Sequence, residues 1–116
     1  MSYKLDSVPT FTATIYVGLD DEAHTGPAIL REAAFAAIHH YCDGIGLCVS
    51  ITDTNFIYTN GGEPGLIVGL INYPRFPSTK DMIRGRAIDL AEILLNTCVQ
   101  RRISIVLPNE TIMLSK

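Results

Sequence analysis

The stretch from Gly46 to Pro77, GLCVSITDTNFIYTNGGEPGLIVGLINYPRFP, places the tightest limit on the fold. Two runs rich in β-branched and aromatic residues flank Asn60-Gly61-Gly62-Glu63-Pro64-Gly65. Strand-forming residues on both sides of dense turn chemistry predict a β-hairpin. The first strand of the hairpin starts at Leu47, with Leu47, Val49 and Ile51 alternating with Cys48, Ser50 and Thr52. The alternation slips before Phe56 and Tyr58, which predicts a bulge or bend near Asp53–Asn55. The second strand, Gly65–Asn72, is apolar on both faces: Leu66, Val68 and Leu70 on one, Ile67 and Ile71 on the other. Such a strand belongs at the centre of a sheet or beneath a second subunit.

The rest of the chain arranges itself around this hairpin. Residues 1–9 are expected to be a mobile lead. Thr10–Leu19 alternates Phe11, Ala13, Ile15, Val17 and Leu19 with Thr12, Thr14 and Tyr16, a strand with one core face and one polar face. Thr25 is expected to cap a helix over Pro27–Asp43, in which Leu30, Ala34, Ala37, Ile38 and Tyr41 form an apolar stripe and Gly44 the stop. Ser78 is expected to cap a second helix, reaching Val99, with Asp81 completing a shortened capping box. Ile83, Ala87, Leu90, Ala91, Leu94 and Cys98 make its stripe. Arg102–Leu107 and Thr111–Leu114 read as strands on either side of a Pro108-Asn109-Glu110 turn.

The order strand, helix, strand, strand, helix, strand predicts an α+β domain of ferredoxin-like βαββαβ type. Its four-stranded antiparallel sheet carries both helices on one face, with a short C-terminal strand in addition. A different α+β meander is the alternative. At 116 residues the whole chain, 1–116, reads as a single domain.

It is 47% hydrophobic and 18% charged, with a mean hydropathy of +0.24, so apolar surface is left over after a core is filled. This predicts self-association into a homo-oligomer. A net charge of −3 and a pI near 5.5 argue against extended nucleic-acid binding, which needs a basic face. Cys42, Cys48 and Cys98 are odd in number and show no framework spacing, which points to reduced thiols and a cytoplasmic setting. No run approaches the about 20 apolar residues of a membrane span.

The uncovered sheet face is expected to carry Thr12, Thr14, Tyr16, Cys48, Ser50, Thr52, Ser104 and Val106, as a subunit interface, a ligand cavity between subunits, or both. At one end of the sheet the expected topology gathers Asp20, Asp21, Glu22, His24 and Glu63 near Arg101 and Arg102. Ion pairing with those arginines is the plainer explanation; a metal or substrate site built from Asp20, Asp21, Glu22 and His24 is the alternative, although the spacing matches no calcium or zinc loop. At the other end it gathers Tyr73, Arg75, Phe76, Ser78, Lys80 and Arg84 around the N-terminus of the second helix. Backbone N–H groups, cations and aromatic rings there suit a small anionic, nucleotide-like ligand. Solvated side chains, with Tyr73 and Phe76 packed under the loop, are the plainer explanation.

His39, Cys42 and Cys48 offer too few well-spaced ligands for zinc, and no metal or cofactor is expected. Gly61-Gly62-Glu63-Pro64-Gly65 lacks the lysine and following helix of a phosphate loop.

The segment FIYTNGGEPGLIVGLINYPRFP resembles small uncharacterised proteins of the kind that phages carry. The resemblance covers mainly the hairpin and assigns no catalytic residue. With no reaction-naming motif in the chain, the reading is a non-enzymatic oligomer that binds or sequesters a nucleotide-like ligand. Two alternatives stand beside it. One is a small-molecule enzyme with its site between subunits, using His39, His40 or Cys48 as acid, base or nucleophile. The other is an interaction module that docks a protein on the open sheet face.

Overall fold

Alternation of small and branched apolar residues with Thr14 and Tyr16 makes β1 (Thr12–Gly18) a strand with one buried face: Ala13, Ile15 and Val17 are fully shielded from solvent. The computed structural model describes residues 2–116. After β1 come α1 (Pro27–Ile45), β2 (Ser50–Tyr58), β3 (Gly61–Ile71), α2 (Lys80–Thr97), β4 (Arg102–Val106) and β5 (Thr111–Ser115). All five strands form one antiparallel sheet in the order β2-β3-β1-β4-β5. Over the described residues the protein is therefore α+β, with two helices and five strands. The expected four-stranded sheet is corrected: the last strand joins it, pairing with β4 from Arg102↔Ser115 to Val106↔Thr111.

Both helices pack on the face that carries Ile15, Leu66, Val68, Leu70 and Ile105. Leu30, Ala34 and Ile38 of α1 and Ile83, Ala87, Leu90, Ala91 and Leu94 of α2 close the core from above. Each fully buried Leu or Ile contributes roughly 1.5–3 kcal/mol relative to exposure. The small residues Ala34, Ala87 and Ala91 let the helices approach closely. No helix among the described residues is long and apolar enough to cross a membrane.

Several expected boundaries move for local reasons. The hairpin turn is only Thr59-Asn60, with Asn60 in the left-handed region (φ 62). Gly61–Pro64 therefore belongs to β3, which pairs with β2 without a skipped residue from Ser50↔Gly69 to Tyr58↔Gly61. No bulge interrupts β2. The apolar pattern slips because β2 outruns the helices: past Ile51 its helix-side residues Asp53, Asn55 and Ile57 are exposed, and only Arg31 of α1 reaches them, at Asp53. β1 and β2 are shorter than Thr10–Leu19 and the Leu47 start predicted.

Helix α1 is capped by Gly26, not Thr25, and continues past Gly44 to stop at the left-handed Gly46. Thr25 instead donates from its N–H and Oγ1 to the Asp21 carboxylate. The α2 cap is Thr79, whose Oγ1 accepts from the Met82 N–H at 3.1 Å. Ser78 is held otherwise: its N–H donates to Asn72 Oδ1 at 2.8 Å and its Oγ accepts from Arg86 at 3.0 Å. The helix ends at Thr97, short of Val99, which takes the left-handed φ of 52.

Candidate functional site

Because opposed residues in an antiparallel pair point to the same side, the register fixes the uncovered face. One row across it is Thr52, Ile67, Tyr16, Ser104 and Met113; the next is Ser50, Gly69, Thr14, Val106 and Thr111. The sequence placed Thr14, Tyr16, Ser50, Thr52, Ser104 and Val106 on this face correctly. It misplaced Cys48, which lies before β2 and donates its thiol hydrogen to Tyr73 Oη at 3.5 Å. Ile71, Val106 and Met113 remain 45%, 38% and 60% exposed, so the face is partly apolar and open.

Glycines shape the end of this face near the hairpin. A β-carbon on Gly65 would run into the Phe56 ring and stand 2.7 Å from the Val17 carbonyl oxygen. A β-carbon on Gly18 would stand 2.8–2.9 Å from the Glu63 carboxyl atoms. Phe56 therefore lies flat over Gly65 and Glu63 over Gly18, side by side as a directly opposed β2–β3 pair. Tyr16 meets Phe56 edge-on, with ring centroids 6.4 Å apart. The outcome is a half-buried carboxylate beside two aromatic rings on a floor with no side chains.

Burial raises the Glu63 carboxyl above its ordinary value of 4.5; the Asp20 backbone N–H draws it back, and the Asp20 charge adds to the rise. A carboxyl that is hard to ionise next to aromatic faces is a place for a cation, or for a proton. Sequence reading named Glu63 only as an acid near Arg101 and Arg102 and missed its place beside Phe56 and Gly18, because Glu63 was assigned to a turn. Setting the turn at Asn60, a residue tolerant of left-handed backbone, would have opposed Phe56 to Glu63.

The acidic loop at the same end is spent on structure. Asp21, only 6% exposed, takes both Thr25 donors, which hold its carboxyl below the usual range. Glu22 pairs with Arg101 at 2.8 Å. Among the described residues no group of three or more His, Cys, Asp or Glu is placed to hold a metal.

At the opposite end the connector side chains are drawn in several directions. Tyr73 and Phe76 pack on each other at 5.1 Å, Arg84 pairs with Glu110 at 2.8 Å, and Arg75 is exposed. Lys80 borders a cavity of about 400 Å³ with Phe11, Asn72, Ser78 and Thr79. His39 and His40 are both exposed on α1.

No protein-family model matches the sequence. No curated protein matches it either. Two solved structures share its fold. A phage SAM lyase in complex with S-methyl-5′-thioadenosine superposes with a TM-score of 0.78 at 14% identity, over 100% of this chain and 97% of that one. A phage SAM lyase in the apo state gives 0.67 at 18% identity, over 91% and 89%. The phage-type resemblance of the hairpin is consistent with these neighbours.

They overturn the reading of a non-enzymatic binder. That reading rested on the lack of a local catalytic motif, yet the fold shared end to end is that of an enzyme complexed with a small molecule. The alternative, a small-molecule enzyme, agrees with the comparisons better.

Proposed function

We propose that this protein is a lyase acting on SAM (S-adenosylmethionine) or a close sulfonium relative, with its site at the Tyr16–Phe56–Glu63 cluster on the open sheet face. The observation that carries the reading is the half-buried Glu63 carboxylate beside two aromatic rings, in a fold matched over its full length by a SAM lyase. The order β2-β3-β1-β4 with both helices on one face supports a ferredoxin-like core to which β5 is added.

SAM carries a positive sulfur. Cleavage to S-methyl-5′-thioadenosine breaks the bond between that sulfur and the amino-acid chain, and the bonding pair goes to sulfur. The thioether leaves neutral. The other fragment makes good the lost bond within itself, by loss of a proton or by ring closure, because a lyase brings no water to the bond. Ionised Glu63 attracts the sulfonium, and the rings of Tyr16 and Phe56 add cation–π attraction. Both attractions vanish when the charge does, so the neutral product is released.

The exposed Met113, on the same row as Tyr16, and Val106, on the next row, lie on the same face as the site, and a second copy covering them would enclose the substrate. This supports a homo-oligomer with the site between subunits. Three free cysteines support a cytoplasmic setting.

Incubation of the purified chain with SAM, followed by chromatography, tests the reading. Accumulation of S-methyl-5′-thioadenosine in proportion to enzyme is expected. Unchanged SAM at high enzyme concentration would reject the activity.

A further inference from the structure

Cys42 and Cys48 are brought together by the way α1 ends. The Gly46 N–H and the Leu47 N–H both donate to the Cys42 carbonyl, at 2.8 and 3.0 Å, with Gly46 left-handed (φ 70). The chain reverses within that turn, so Cys48 returns beside the last helical turn. Both cysteines then line one cleft of about 400 Å³ between α1 and β2, walled by Phe35, Ile38 and Val49.

Their surroundings differ. Cys42 is half-buried, and burial first, then the facing Cys48, push its thiol up. Cys48 is exposed and touches only the Tyr73 hydroxyl among the polar groups bonded to it. Cys98 is fully buried elsewhere in the core.

We propose that Cys42 and Cys48 form a redox-modifiable dithiol, which a hydroperoxide closes to a disulfide. The exposed Cys48 thiolate attacks one peroxide oxygen. The O–O bond breaks, an alcohol or water leaves, and Cys48 becomes a sulfenic acid. The Cys42 sulfur then attacks the Cys48 sulfur; the S–S bond forms, the S–O bond breaks, and the oxygen departs as water with the Cys42 proton. The peroxide is reduced by two electrons and the thiol pair oxidised by two. The bond withdraws Cys48 from Tyr73 and staples the end of α1 to the start of β2.

The sequence supplies the assay. No Lys or Arg lies between Arg31 and Arg75, so trypsin releases Cys42 and Cys48 in one peptide, 32–75, and Cys98 in another, 87–101. The folded chain is treated with hydrogen peroxide, at a dose that leaves Cys98 free, then denatured and alkylated with iodoacetamide. Peptide 32–75 is expected to escape alkylation and to be lighter by two hydrogens, with both changes reversed by dithiothreitol. In Cys42→Ser the oxidised Cys48 is expected to persist as a sulfenic acid that dimedone captures. Alkylation at both cysteines after peroxide, addition of oxygen without loss of hydrogen, or a disulfide between two chains would each overturn the proposal.

Discussion

The Glu63 carboxyl rests against Gly18, 2.8–2.9 Å from the point a β-carbon there would occupy. That contact lets a charged side chain lie down on a sheet instead of extending into water. It is also why burial shifts its ionisation. The folded state binds the Glu63 proton more tightly than the unfolded chain, whose value is near 4.5. This contribution to stability is complete below pH 4.5 and is lost as pH rises through the folded value. Glu63→Gln should therefore raise the thermal midpoint at pH 7 while lowering turnover. Turnover of the natural chain should fall on its acid side with an apparent pKa above 4.5, and that limb should vanish in Glu63→Gln. A melting curve and a pH–rate profile on both proteins check the two signs.

Gly65 is the floor for Phe56. Gly65→Ala forces the ring away and crowds the Val17 carbonyl, so overpacking should cost about 1–3 kcal/mol. Urea denaturation measures this. The same variant should lose turnover, because Phe56 no longer holds its place beside Tyr16 and Glu63.

Cys98 reports on the core. It is fully buried and its thiol is pushed up to about 11 by burial alone. A thiol reagent at pH 8 should label the folded chain at Cys48 first, then Cys42, and reach Cys98 only in denaturant. Rapid labelling of all three in the folded state would contradict the burial of Cys98 at the end of α2.

Met113 lies at the open face, 60% exposed, on the edge strand. If a second copy covers that face, Met113→Arg places a charge in an apolar interface and should shift the mass measured by light scattering toward the monomer. A natural chain that is monomeric at all concentrations would remove the shared-site part of the account.

The sequence carried much of the fold and little of the site. Period-two alternation in β1 and the apolar stripes of both helices named most core residues, because burial acts on residue type directly. What it obscured were places where two local signals compete. Glycine and proline at Gly61–Gly65 read as a turn, although glycine there serves to let Phe56 and Glu63 lie flat. Thr25 and Ser78 read as caps, but each found another partner, Asp21 and Arg86. The site itself has no motif, since Tyr16 reaches Phe56 only across β3.

The most direct test of the central claim compares SAM turnover in four proteins: the natural chain, Glu63→Gln, Arg75→Ala and Lys80→Ala. Loss of one charge-assisted contact of about 1.5–3 kcal/mol should slow Glu63→Gln by about 10- to 100-fold. Arg75→Ala and Lys80→Ala, at the other end of the sheet, should keep the natural rate. Loss of turnover in those two with Glu63→Gln unaffected would move the site to the start of α2 and contradict the account.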